Sequence, residues 1–87
     1  GDFFCFFPAG EGLQAFAVGD ITGHGIEAAL LMDLAKKLLE VHGRDRTSPA
    51  RTLCLANRDI FSDLDDRTFV TVFYGLLETE RRRLRFS

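Results

Sequence analysis

The stretch Val18-Gly19-Asp20-Ile21-Thr22-Gly23-His24-Gly25 decides the fold. An apolar segment runs into an acid, then into a glycine-rich turn, then directly into an amphipathic helix. Upstream, Asp2-Phe3-Phe4-Cys5-Phe6-Phe7 is continuously apolar after its acid, as expected for a strand covered on both faces. Pro8-Ala9-Gly10-Glu11-Gly12 reads as a turn on its proline and glycines. Residues 13–19 make a second strand, with Phe16 and Val18 on one face and Leu13, Ala15 and Ala17 on the other. A short turn between two strands implies an antiparallel hairpin. Folding back about residues 9–12 brings Asp2 and Asp20 to the same open end, about 5 Å apart if directly opposite. Like charges so close repel unless something cationic lies between them.

Beyond the turn, residues 26–42 read as a helix. Ala28, Leu31, Met32, Ala35, Leu38, Leu39 and His42 recur at helical spacing, and Asp33, Lys36, Lys37 and Glu40 hold the opposite side. Leu30, Leu34 and Val41 widen the apolar stripe, which implies cover from more than one neighbour. Ser48-Pro49 opens a second helix with an N-cap serine and a proline at the first helical position. That helix runs to about Leu64, with Leu53, Ala56, Ile60 and Leu64 facing the core. Asp65-Asp66-Arg67 is a loop, Thr68 to Leu77 a third strand rich in β-branched and aromatic residues, and residues 83–86 a fourth. The order strand, strand, helix, helix, strand, strand specifies an α+β domain with antiparallel pairing.

With 87 residues, nine Phe and 46% hydrophobic content, the chain has the means to pack a core but is one domain at most. It begins at Gly1 inside what reads as a strand, so it reads as a fragment of a longer protein. A net charge of −2 gives no reason to expect nucleic acid or an anionic membrane as partner. No apolar run approaches the roughly 20 residues that span a bilayer, and no signal peptide is visible. Cys5 and Cys54 read as buried reduced thiols, in keeping with a cytoplasmic protein. With His24 and His42 they lack zinc-ligand spacing.

Asp2 and Asp20 are the leading candidates for chemistry. Two carboxylates at a strand end suit hard divalent cations, which choose oxygen donors. A pair of such ions can activate a water and neutralise a phosphoryl oxygen. The alternative is that Asp20 caps the following turn and Asp2 is a solvated acid. Gly19 to Gly25 matches neither a dinucleotide fingerprint nor a P-loop, and an acid at the strand end would repel a bare phosphate. His24 can donate to a substrate phosphate or polarise a metal-bound water, or it is simply a turn residue. His42 reads as a packed, helix-terminal histidine. Arg81, Arg82, Arg83 and Arg85 lie beside Glu78 and Glu80 and read as a solvated hairpin tip.

Four motifs in order carry a resemblance: Gly1-Asp2-Phe3-Phe4-Cys5-Phe6-Phe7, Val18 to Gly25, Ala28-Ala29-Leu30-Leu31-Met32, and Phe69-Val70-Thr71-Val72-Phe73-Tyr74-Gly75. Together they resemble the bacterial stage II sporulation protein E/RsbU-type branch of the PPM metal-dependent protein serine/threonine phosphatases, over essentially the whole chain. The resemblance implies a four-layer α/β/β/α sandwich of antiparallel sheets, of which residues 1–87 are a part. It places Asp2 and Asp20 on the family's metal-binding aspartates and Ile21 where a backbone carbonyl completes a metal's shell. The metals implied are Mn²⁺ or Mg²⁺ in a two-metal centre, and the reaction is hydrolysis of phosphoserine or phosphothreonine by a metal-activated water without a phosphoenzyme. The implied substrates are phosphorylated anti-sigma-factor antagonists. The two helices are the expected site of switching by a sensory domain on the N-terminal side, in a branch whose regulated members dimerise. Cys5 departs from the pattern, standing where the family commonly has a second acid. The family's later aspartate motifs lie beyond Ser87, so the fragment is expected to be inactive alone. A non-catalytic module binding a phosphoprotein through the same surface, and metal-free phosphate binding at Gly23-His24-Gly25, are the competing expectations.

Overall fold

The computed structural model describes all 87 residues. Strands β1 (Asp2–Gly10) and β2 (Leu13–Ile21) are followed by helices α1 (Ile26–Gly43) and α2 (Pro49–Ile60), a short 3₁₀ turn (Phe61–Asp63), and strands β3 (Val70–Glu78) and β4 (Arg83–Phe86). The four strands form one antiparallel sheet in the order β1-β2-β3-β4. Both helices pack on the same face of it. No helix is long and apolar enough to cross a membrane.

The expected elements are present, and their ends shift for local reasons. β1 runs on through Pro8 to Gly10, where a turn was expected. Pro8 stands opposite Gln14 on an edge strand, at a position whose missing N–H costs no ladder bond. The second helix gives way at Phe61 to the 3₁₀ turn and stops short of Leu64. Its start is as expected, with Pro49 in the first turn and the Ser48 hydroxyl accepting from the Arg51 amide at 3.2 Å.

The core lies between the helices and the sheet. Phe3, Phe7, Ala9, Ala15, Ala17, Ile21, Tyr74 and Leu76 supply the sheet side, and Ala35, Leu39, Ala56 and Ile60 the helix side. The alanines let the helix backbones come close, and each fully buried large side chain contributes about 1.5–3 kcal/mol. Gly43 marks a close approach of α1 to the sheet. A Cβ there would lie 2.5 Å from the Tyr74 hydroxyl and 2.7 Å from the Phe7 ring.

The opposite face of the sheet carries no layer within the chain. β1 is therefore covered on one face only: Phe3 and Phe7 are buried, whereas Phe4 and Phe6 are 65% and 66% exposed. On the open face the rings of Phe6, Phe16, Phe73 and Phe86 form a ribbon across all four strands, with neighbouring centroids 6.3, 6.1 and 5.4 Å apart. Gly75 leaves room beneath the Phe16 ring. Leu30 and Val41 on α1 are likewise exposed, without the second neighbour their stripe implied. Cys54 is exposed rather than buried, because Thr52, Leu55 and Ala56 take the inward positions of α2.

Three polar contacts fasten the elements to one another. His42 Nε2 meets Asp59 Oδ2 at 2.6 Å, tying α1 to α2. Glu78, expected in a solvated tip, is buried, and its carboxylate takes Arg85 Nε at 3.0 Å. Arg85 also reaches the Thr47 carbonyl at 3.5 Å, linking β4 to the connection between the helices.

Gly43→Ala forces a methyl against Tyr74 and Phe7. It is expected to lower unfolding free energy by about 1–2 kcal/mol, the overpacking cost less the helix-propensity gain, measured as a fall in urea midpoint at unchanged slope. The His42 hydrogen bond holds the Asp59 carboxyl below its ordinary value. A depressed carboxylate stabilises fully above its unfolded value and loses that contribution as pH falls through the folded one. Asp59→Asn should thus be less stable than the parent at neutral pH, with the difference closing as pH falls below the ordinary carboxylate range; stability curves at neutral and acid pH check this.

Candidate metal centre

The register of the hairpin places the two acids. Asp2 is the partner of Asp20. On one side of them, Gly1 and Ile21 exchange both backbone bonds, Ile21 N to Gly1 O at 2.9 Å and Gly1 N to Ile21 O at 2.6 Å. Bonded and non-bonded pairs alternate along an antiparallel ladder, so Asp2 and Asp20 form a non-bonded pair, the kind whose side chains lie closest. Both project from the open face of the sheet, and the Asp20 side chain is 58% exposed.

The cleft around them is lined by Asp2, Val18, Gly19, Asp20, Thr71, Val72 and Phe73. Thr71 was not singled out from the sequence. It is the β3 partner of Asp20, and its hydroxyl lies 3.5 Å from the Asp20 carbonyl oxygen. Nothing local to position 71 signals this, because the pairing spans 51 residues.

Ile21 directs its side chain into the core, where it is 1% exposed. Its carbonyl already accepts one bond from Gly1, which leaves the oxygen its second lone pair. His24 is exposed on the turn after β2 and is not part of the cleft lining. The glycines on either side of it have φ of 96° and 87°, the left-handed region that excludes most side chains. Thr22 anchors that turn. Its amide donates to the Phe69 carbonyl at 3.2 Å, and its hydroxyl accepts from the Phe69 amide at 3.1 Å and lies 3.4 Å from the Arg67 carbonyl. The Asp65 carboxylate takes the Arg67 amide and the Thr68 hydroxyl and closes the facing loop, contacts that hold its carboxyl below the ordinary range.

Cys5 lies on the helix side of β1, where burial pushes its thiol up. Its position is on the opposite face from Asp2, so it contributes nothing to the open face.

The donor set fits a hard cation. Two carboxylates and a backbone carbonyl with a free lone pair are oxygen ligands of the kind Mg²⁺ and Mn²⁺ select. No lysine or arginine pairs with either acid; the one cation near them within the chain is the Gly1 terminal amine, 3.6 Å from Asp20 Oδ1. Exposed to water, two carboxylates about 5 Å apart repel by only about 1 kcal/mol, but covering the face lowers the dielectric and multiplies that cost. The set is partial, since nowhere in the chain do three His, Cys, Asp or Glu side chains converge.

The chain is similar to known proteins in sequence and fold. The phosphoserine phosphatase RsbU of Bacillus subtilis (strain 168) is 26% identical over 87 residues, all of this chain and 26% of its own. A crystal structure of the RsbU and RsbW domains of a Mycobacterium tuberculosis protein superposes with a TM-score of 0.78 at 25% identity, over 91% of this chain and 22% of that one. The PP2C phosphatase domain of SpoIIE from Bacillus subtilis, solved with a fragment of its regulatory domain, gives a TM-score of 0.78 at 19% identity, over 98% of this chain and 25% of that one. The chain thus spans about a quarter of the length of the relatives it matches. Its sheet and helix pair are part of a PP2C-type α/β/β/α sandwich with antiparallel sheets. Residues 10–87 match the model of the family described as stage II sporulation protein E (SpoIIE), and the chain belongs to that family.

Proposed function

We propose that the protein is a metal-dependent phosphatase acting on phosphoserine or phosphothreonine of a signalling protein, with residues 1–87 supplying the first half of its metal centre. The observation that carries this reading is the close, non-bonded pairing of Asp2 with Asp20 on the open face. Mn²⁺ or Mg²⁺ held there supplies Lewis acidity, which neutralises phosphoryl oxygens and lowers the pKa of water. Asp2, Asp20 and the Ile21 carbonyl are the ligands in this chain. Thr71 braces the strand behind Asp20, and the Thr22 contacts hold the turn that begins at the metal end. His24, exposed between its glycines, can donate an imidazole N–H to a phosphate oxygen of a docked substrate.

The relatives named RsbU, one of them joined to an RsbW domain, support a place in sigma-factor regulation, with a phosphorylated anti-sigma-factor antagonist as substrate. A regulatory domain on the N-terminal side and a homodimer complete the proposed assembly, in the cytoplasm. The second reading is a module that binds a phosphoprotein through the same surface without hydrolysing it.

Asp20→Asn in the full-length protein is expected to weaken Mn²⁺ binding and to reduce phosphate release from a phosphoserine protein, each on the order of a hundredfold or more. Calorimetric Mn²⁺ titration and a phosphate-release assay measure the two effects. Near-normal turnover in that variant would overturn Asp20 as a ligand, and a metal-binding but inactive parent would favour the second reading. Residues 1–87 alone should bind Mn²⁺ weakly and release no phosphate. Thr22→Val removes the hydroxyl contacts of the turn and should cost about 1 kcal/mol, with faster hydrogen exchange at the Phe69 amide than elsewhere in the sheet.

A further inference from the structure

The helix layer does not seal against the sheet everywhere. Between α1, α2 and β3 lies a half-enclosed gap of about 210 Å³. Val70 and Val72 form its floor, Ala35 and Ala56 enter its wall from the two helices, and Ile60 lies toward the end of α2. Eight of its nine lining residues are hydrophobic, and the ninth, Asn57, brings one amide.

Protein interiors pack like organic crystals, and voids larger than a water molecule are few. Positions 35 and 56 carry alanine, so at these points neither helix projects a long side chain into it. Water gains little in it, since an ordered water needs two to four polar partners and a dry apolar cavity of about 150 Å³ takes up benzene instead. By the same measure the gap has room for roughly eight to ten non-hydrogen atoms. Asn57, an exposed residue, is the one member of the lining whose side chain can donate or accept a hydrogen bond. The floor is also well placed. Val70 and Val72 pair in register with Ile21 and Gly19, so the gap lies on the reverse side of the strands that carry Asp20 and Thr71.

We propose that the gap between α1, α2 and β3 is a binding site for a small, largely apolar molecule carrying one hydrogen-bonding group, of about the size of indole. The site is built by Ala35, Ala56, Ile60, Val70 and Val72, and oriented by Asn57. It takes its ligand whether or not the open face holds metal, so it stands or falls separately from the phosphatase reading.

The test is a titration of the full-length protein, labelled at its Ile, Leu and Val methyl groups, with indole and in parallel with its hydrocarbon isostere indene. Saturable shifts are expected at Ile60, Val70 and Val72, with indole binding several-fold tighter than indene and Asn57→Ala removing that advantage. Ala56→Leu fills the gap and should weaken indole binding at least tenfold without lowering the thermal midpoint. Ala35→Val, a smaller intrusion from the other helix, gives the same readout should Ala56→Leu fail to fold. Shifts confined to Val18, Leu77 and Leu84 on the open face, binding unimpaired in the filled variants, or no saturation up to the solubility of indole would each overturn the proposal.

Discussion

The pairing register of β1 with β2 is the constraint on which everything else depends. Side chains alternate with a period of two along a strand, so a slip of one residue would exchange the two faces of the sheet. In the observed register Phe3 and Phe7 enter the core and Asp2 faces Asp20. Shifted by one, β1 would carry its acid toward the helices and Phe3 and Phe7 away from them. Hydrophobic burial therefore sets the register, and the register places two like charges side by side. Stability and site come from one choice made at the hairpin.

Much of this is legible in the sequence because its causes are local. The glycines at 10 and 12, the Ser48-Pro49 helix start and the alternation of residues 13–19 each act within a few positions. The juxtaposition of Asp2 and Asp20 follows from a turn of known place. What escapes is set by contacts far apart in the chain. Glu78 reads as part of a charged tip, yet β4 and the loop at Thr47 enclose it. Thr71 reads as one β-branched residue among several, and its place beside Asp20 depends on β2–β3 pairing. Pro8 reads as a stop, and only its position on an edge strand lets β1 continue. Cys54 reads as core, and α2 turns it outward because Leu55 and Ala56 already fill the inner side.

The two faces of the sheet divide the work. The helix side carries the buried aromatic and aliphatic residues and accounts for the cohesion of the chain. The open side combines an aromatic ribbon with a carboxylate pair at one end, the composition of an internal surface that also holds a charged centre. A sandwich of the PP2C type would resolve the combination: a second sheet would cover the rings, and the cations proposed above would offset the acids that such a sheet desolvates. The likeness in fold to PP2C-type domains and the physical needs of this face lead to the same architecture.

The aromatic ribbon has a consequence for synthesis. Translation proceeds at about 5–20 residues per second, so where a second sheet follows in the chain, this half leaves the ribosome seconds ahead of its complement. During that interval four rings and the unpaired edge of β1 are open to other nascent chains. Folding of the intact domain is then a race between the arrival of the second sheet and encounter with a neighbour, and the affinity of this face for chaperones becomes part of what decides the yield of active protein.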